Sequence, residues 1–121
     1  MGTPLPPAEP FAGRDRLLVE HRALLERLRD TMNLVGPGPL DDHYVDAREA
    51  LAGLTLDGRW ADLGSGAGFP GVVLAAQFPH LSVDLVESRT KRAHFLQEVI
   101  DRAGAAGVLV HPVRLEPLPR S

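Results

Sequence analysis

Residues 59–71 read RWADLGSGAGFPG, and this stretch decides the fold. Residues 59–63 are short and apolar-rich, which predicts a strand, and they run directly into a turn that contains four glycines. Pro70 is favoured at the first position of a helix, where its missing N–H would have no partner, so residues 72–77 are predicted to be helical. Strand, glycine turn and helix therefore follow one another.

Downstream of this unit the same alternation continues. Residues 82–87 (SVDLVE) predict a buried strand, and Ser88 or Thr90 is placed to cap a helix after it. Residues 108–115 predict a third strand, in which Pro112 indicates an edge position or a bulge. The order β-α-β-α-β predicts an α/β fold, namely half of an open parallel sheet of the Rossmann type.

Two helices are predicted before the first strand. From Arg14 onward, apolar residues recur at the spacing of an amphipathic helix, and the Gly and Pro residues at 36–39 end it. Asp41 or Asp42 is expected to cap a second helix that ends near Gly53. The predicted core-facing residues are Leu17, Leu18, His21, Leu24, Leu25, Leu28 and Met32 in the first helix, and Tyr44, Ala47, Leu51 and Leu54 in the second.

Composition excludes several classes of protein. The chain has 121 residues and no Cys, which rules out disulfides and Cys-ligated metals. No apolar run approaches the ~20 residues of a spanning helix, so we expect no membrane association and a cytoplasmic location. The five histidines lack metal-ligand spacing, so we expect no metal site. A net charge of −3 gives no broad basic field of the kind that dedicated nucleic-acid binders carry.

Acidic residues follow each predicted strand. In an open parallel sheet, ligands bind beyond the carboxyl ends of the strands, where Asp62, Glu87 and Glu116 are expected to lie. The glycines at 64, 66 and 68 permit positive φ angles and close approach of a ligand to the backbone. Glu87 follows Gly66 by 21 residues, about the spacing of an acid that accepts hydrogen bonds from ribose hydroxyls. This pattern predicts a nucleoside site.

The charge of the site separates two cofactors. Residues 66–71 (GAGFPG) match the dinucleotide pattern, which keeps NAD open as an alternative. However, Asp62 would face the pyrophosphate of NAD, and like charges ~4 Å apart repel by about 1–4 kcal/mol. S-adenosylmethionine carries a sulfonium and an ammonium group and no phosphate, so Asp62 would attract it. We therefore expect S-adenosylmethionine to be the cofactor. Two structural alternatives stay open: Asp62 could only cap the next turn, and Glu87 could be a solvated acid at the end of a strand.

These residues also resemble a known family. Residues 62–71 (DLGSGAGFPG), 86–92 (VESRTKR) and 114–116 (RLE) are together similar to the ribosomal RNA small subunit methyltransferase G family, or glucose-inhibited division protein B family. Residues 32–34 (MNL) and 43–46 (HYVD) are similar to its Asn-Leu and His-x-x-Asp segments. The Gly-Phe-Pro-Gly form of the glycine turn distinguishes this family from methyltransferases in general.

The resemblance implies transfer of a methyl group from S-adenosylmethionine to nitrogen 7 of a guanine in small-subunit (16S) ribosomal RNA. By matching positions it implies that Gly64 and Phe69 contact the cofactor, that Glu87 holds its ribose, and that Leu115 and Glu116 lie at the adenine. With the residues singled out above, the predicted cofactor site comprises Asp62, Gly64, Gly66, Gly68, Phe69, Glu87, Leu115 and Glu116, with no catalytic base assigned.

Members of the resembled family continue well beyond the third strand. We therefore expect a chain truncated at its C-terminal side, with a flexible arm at residues 1–13, a helical segment at 14–57 and a partial Rossmann-like domain at 58–121. The first strand would then have an exposed edge, which favours pairing. Three interpretations stay open: a truncated enzyme, a homodimer that pairs through this edge, or a non-catalytic nucleotide-binding or interaction module.

Overall fold

A computed structural model of the chain describes residues 9–35 and 38–114. The predicted order of two leading helices followed by β-α-β-α-β is confirmed. The elements are a 3-10 turn Arg14–Arg16, then α1 Leu17–Met32, α2 Leu40–Leu51, β1 Arg59–Leu63, α3 Gly71–Gln77, β2 Ser82–Val86, α4 Thr90–Ala103 and β3 Val108–His111.

The strands form a parallel sheet in the order β1-β2-β3. Leu63 pairs with Val86, so the carboxyl ends of β1 and β2 meet at one rim of the sheet. The edge position predicted for β3 is confirmed, but this strand ends at His111 and is shorter than predicted. Pro112 has no N–H to donate to the ladder, which explains the earlier end.

One hydrophobic core joins the leading helices to the sheet. It contains Leu25 of α1, Tyr44 of α2, Leu85 of β2 and Leu96 of α4, all of them buried. The predicted inner faces of α1 and α2 are confirmed except at Leu54, which lies beyond α2 and is 46% exposed. The division between residues 57 and 58 stays a prediction.

Both predicted helix caps are wrong. Helix α2 begins at Leu40 after the extended residue Pro39, which places the two aspartates in its first turn. There their carboxylates face the positive end of the helix dipole without capping it. Helix α4 begins at Thr90, and the cap position belongs to Arg89, whose side chain forms no capping bond.

The described residues before α1 are tied to the domain. Phe11 donates its N–H to the carbonyl of Pro79 at 2.7 Å, and the carbonyl of Ala12 accepts from Ala106 at 2.8 Å. Residues 1–8 lie outside the described part of the chain. Within the described part, no helix has the length and apolar character that a transmembrane span requires.

Candidate functional site

The glycine turn after β1 is folded over the end of β2. The N–H groups of Gly64 and Ser65 both donate to the carbonyl of Val86, at 2.8 and 3.0 Å. Gly64, Gly66 and Gly68 have φ angles of 75°, 55° and 100°, so the positive values expected of these glycines are confirmed. A Cβ added at Gly64 would meet nothing within 4 Å, and this glycine therefore offers open backbone to a ligand.

Glu87 connects the turn to the start of α4. Its Oε1 accepts from the N–H of Gly66 at 3.2 Å, and its Oε2 accepts from the N–H of Arg89 at 3.1 Å. The residue is only 5% exposed, so the alternative that Glu87 is a solvated acid at a strand end is wrong. Since each carboxylate oxygen has a second lone pair, both oxygens retain capacity to accept from a ligand.

Asp62 lies beneath the same turn. Its Oδ2 accepts from the N–H of Gly71, the first residue of α3, at 3.0 Å. The capping interpretation of Asp62 is therefore correct in the structure, and it does not exclude a second role. Burial raises the pKa of this carboxyl, while the nearby Ser65 hydroxyl and the Gly71 N–H oppose the increase. The negative charge of Asp62 is thus under-compensated, and an incoming cation would stabilise it.

The far side of the turn is tightly packed. A Cβ at Gly68 would lie 2.8 Å from Val72 Cγ2 and 3.0 Å from His21 Nε2. A Cβ at Gly71 would collide with the side chains of Asp62 and Leu85. These two glycines are required for close packing, whereas Gly64 faces open space.

An aromatic and imidazole cluster holds Phe69, which the sequence placed at the cofactor. The Phe69 ring lies 4.9 Å from the ring of Tyr44, 5.1 Å from His21 and 5.6 Å from His43, measured between centroids. Its side chain therefore packs on α1 and α2, and its contact with a cofactor stays a prediction. The sequence analysis placed His21 and Tyr44 in the core but did not predict that they pack against the glycine turn. The sequence feature that could have indicated it is a single histidine on an otherwise leucine-rich face of α1.

A cleft of about 190 Å³ opens beside the glycine turn, and of the predicted cofactor residues Gly64 lines it. It lies at the carboxyl ends of the strands, as expected for this sheet. Leu115 and Glu116, the predicted adenine residues, lie outside the described part of the chain. Residues 9–35 and 38–114 bring together no group of side chains suited to a metal ion. The lining residues of the cleft are Gly64, Val86, Ser88, Val113 and Arg114.

Comparison with known proteins gives a consistent result. The family model described as rRNA small subunit methyltransferase G, GidB, matches residues 15–118. A ribosomal RNA small subunit methyltransferase G of Sinorhizobium fredii is 39% identical over 109 residues, which cover 84% of this chain and 50% of that protein. The protein of that name from Caulobacter sp. is 47% identical over 92 residues, covering 69% of this chain and 41% of the relative.

A third relative extends the match slightly. The ribosomal RNA small subunit methyltransferase G of Methylobacterium sp. is 38% identical over 124 aligned positions, which cover 85% of this chain and 58% of the relative. The chain spans about half the length of the curated relatives it matches. Since the family model covers most of the chain and relatives above 30% identity align over most of it, the chain belongs to the rRNA small subunit methyltransferase G family.

Proposed function

We propose that this chain forms the S-adenosylmethionine-binding part of a methyltransferase that modifies nitrogen 7 of a guanine in small-subunit (16S) ribosomal RNA. The names of the relatives support the reaction and the RNA class. The observation that carries the proposal is the turn itself, in which Glu87 holds Gly66 while Gly64 faces open space. An enzyme acting on ribosomal RNA would work in the cytoplasm.

The residues of the turn fit this cofactor in charge. Asp62 is a partly buried carboxylate whose pKa is raised by burial, so a positive group beside it would be stabilised. Glu87 presents oxygens fixed by two backbone N–H groups, which is suited to accepting hydrogen bonds from ribose hydroxyls. Asp62 would then face the cationic methionine end, and Glu87 the nucleoside.

The same contacts argue against a dinucleotide. A pyrophosphate needs free N–H groups at the start of the helix that follows the glycine turn. Here the N–H of Gly71, the first residue of α3, already donates to Asp62. The carboxylate of Asp62 would also repel the phosphates. These two effects support S-adenosylmethionine over NAD.

When bound, S-adenosylmethionine supplies a methyl group on a positively charged sulfur, which a guanine ring nitrogen can accept without first losing a proton. The chain therefore needs no general base for this chemistry, and its contribution is to bind and orient the two partners. Glu87 and Asp62 fix the position of the cofactor, and the open backbone at Gly64 leaves room for it.

Calorimetry with S-adenosylmethionine, S-adenosylhomocysteine and NAD tests the cofactor. We expect binding of the first two with micromolar Kd, no binding of NAD, and about tenfold or greater weakening in Asp62→Asn and Glu87→Gln. Glu49→Gln, an exposed substitution on α2, is the matched control and should leave Kd unchanged. Binding of NAD alone, or equal affinity in all variants, would contradict the proposal.

Methyl transfer to small-subunit ribosomal RNA, with the position identified by mass spectrometry, tests the reaction. Methylation at guanine nitrogen 7 supports the full proposal. Cofactor binding without transfer by a folded sample supports the alternative, a non-catalytic nucleotide-binding or interaction module.

Among the residues that the structure describes, no strand pairs with the outer edge of β1. We also propose that this edge pairs with a second copy of the chain. Strand β1 is exposed at four of its five residues, with Trp60 43% and Leu63 63% exposed. Exposed strand edges of this kind favour pairing. Light scattering at increasing concentration should show a dimer, and a Leu63→Lys variant should weaken it; a monomer throughout would contradict pairing.

A further inference from the structure

The buried imidazole of His21 contacts three consecutive residues of the glycine turn. Its Nε2 lies 2.6 Å from the carbonyl oxygen of Ala67, and a Cβ at Gly68 would lie 3.0 Å from the same nitrogen. The ring centroid of Phe69 is 5.1 Å away at an interplanar angle of 80°. His21 is fully buried in α1, and it therefore forms the inner wall of the turn.

The hydrogen bonds of His21 require one tautomer. The carbonyl of Ala67 can only accept, so Nε2 must carry the proton and donate it. Nδ1 is then an acceptor, and the hydroxyl of Tyr44 donates to it at 2.5 Å. Tyr44 in α2 thus fixes the tautomer of His21 in α1, and His21 fixes the turn. Burial lowers the pKa of His21 to about 4, so the ring is neutral at ordinary pH, as these bonds require.

The turn needs such an anchor because of its composition. Ala67 lies between Gly66 and Gly68, both in the left-handed region of backbone space. Glycines lose more conformational freedom on ordering than other residues, so a turn built on them is costly to hold in one conformation. Glu87 fixes the N–H of Gly66 from one side, and His21 fixes the carbonyl of Ala67 from the other.

We propose that His21 is a positioning residue, which holds the glycine turn in its cofactor-binding conformation through Ala67 and is itself held by Tyr44. This inference rests on the proposed function, because the turn matters only if it binds the cofactor. His21 does not touch the cofactor in this account. Its effect passes through the backbone of the turn, so the two leading helices contribute to cofactor affinity indirectly.

The test compares S-adenosylmethionine affinity in variants that fill the same space with different polar groups. His21→Phe keeps the ring but cannot donate to Ala67, and we expect Kd to rise about tenfold. His21→Gln places an amide N–H near the position of Nε2, and we expect it to restore Kd to within about threefold of wild type. Rescue by an amide would not occur if only ring packing mattered.

A matched control separates positioning from general destabilisation. Leu81 is fully buried and directly precedes β2, at the opposite end of the sheet from the turn. Leu81→Val should lower the melting temperature while leaving Kd within about twofold of wild type. Tyr44→Phe should weaken binding less than His21→Phe, because the bond to Ala67 can persist without the hydroxyl.

A measurement on the unaltered protein covers the case in which His21→Phe does not fold. Long-range ¹H–¹⁵N correlation spectra of the imidazole should show the Nε2-protonated tautomer of His21, and an Nδ1-protonated ring would overturn the inference. If the wild-type protein binds S-adenosylmethionine and His21→Phe binds it with the same Kd, the inference is overturned as well. A wild-type protein that binds no S-adenosylmethionine would instead overturn the proposed function, and this inference with it.

Discussion

The carboxylate of Glu87 accepts a hydrogen bond from the N–H of Gly66 at 3.2 Å, joining the end of β2 to the turn after β1. The other carboxylate oxygen holds the N–H of Arg89 at 3.1 Å, just before α4. One acid thus orders two segments that a ligand at this rim would touch. Its role in stability and its proposed role in binding are therefore coupled.

Glu87→Gln should destabilise the protein even without cofactor. The amide has one oxygen and one NH₂ group, so one of the two backbone N–H groups would face another donor. We expect a loss of about 1–3 kcal/mol in the free energy of unfolding, measured by urea titration. Glu98→Gln is the control, because Glu98 pairs with Arg102 on the exposed face of α4 and should change stability by less than about 0.5 kcal/mol. Equal losses in both variants would show that the bonds of Glu87 are not distinctive.

The glycines of the turn should differ in their tolerance of alanine. Gly64→Ala would strain a φ of 75° but meet no atom within 4 Å, so we expect a loss of about 1–2 kcal/mol. Gly68→Ala adds a collision with Val72 to a φ of 100°, and we expect a loss of about 3 kcal/mol or more. Thermal unfolding of the two variants makes the comparison, and a smaller loss at Gly68 would contradict this packing.

The first sheet unit could be predicted because its signals are local. The bounds of β1 at Arg59–Leu63 agree with prediction, since an apolar run ends at a glycine turn. The start of β3 at Val108 agrees with prediction, but its C-terminal end and the starts of α2 and α4 do not. For the two helices the reason is that aspartate, serine and threonine near a helix start predict a cap that the backbone does not use. Residue propensities indicate roughly where a helix or strand begins and ends, whereas the exact terminal residue depends on the path of the backbone in the folded protein.

The site was predictable in part for the same reason. Asp62 and Glu87 stand out as acids at strand ends, and the structure brings both to the glycine turn. His21 and Tyr44 belong to different helices, 23 residues apart, and no local pattern links them. Their bond depends on how α1 and α2 pack over the turn, which is a tertiary property.

Stability should fall between about pH 6.5 and pH 4 because of His21. Burial lowers the pKa of His21 from its usual 6.5 to about 4, so the unfolded chain takes up a proton in this range while the folded protein does not. The contribution of the neutral His21 ring to stability is therefore fully present above pH 6.5, the pKa in the unfolded chain. It is lost as the pH falls from there to about 4, the pKa in the folded protein. A shift from 6.5 to about 4 corresponds to roughly 3 kcal/mol.

Urea titrations across this range measure the effect. The slope of the unfolding free energy against pH should be much smaller in His21→Phe than in wild type. Burial raises the pKa of Asp62, so the folded protein takes up a proton on this carboxyl at a higher pH than the unfolded chain does. At the acidic end of the range Asp62 therefore increases stability as the pH falls, which opposes the effect of His21. Parallel slopes in the two proteins would show that His21 is not the group responsible.

Arg14 should be irreplaceable even by lysine. Arg14 is 2% exposed, and burial lowers the pKa of its guanidinium. Within the described part of the chain its hydrogen bonds all go to main-chain carbonyls, in helix α3 and in the loops that follow α3 and α4. Lysine has a compact ammonium with three donors and cannot span these positions, so we expect Arg14→Lys to cost about 2–4 kcal/mol. The acceptors are Ala75 at 2.7 Å, Ala106 at 2.8 Å, Phe78 at 3.4 Å and Leu81.

The comparison with Arg27→Lys isolates the geometry from the charge. Arg27 is exposed on α1, so the same replacement there should change the free energy of unfolding by less than about 0.5 kcal/mol. Urea titration of both variants makes the measurement. If Arg14→Lys were as stable as Arg27→Lys, a single buried positive charge would be enough at this position. The fork of the guanidinium would then not be what joins Ala75 and Ala106.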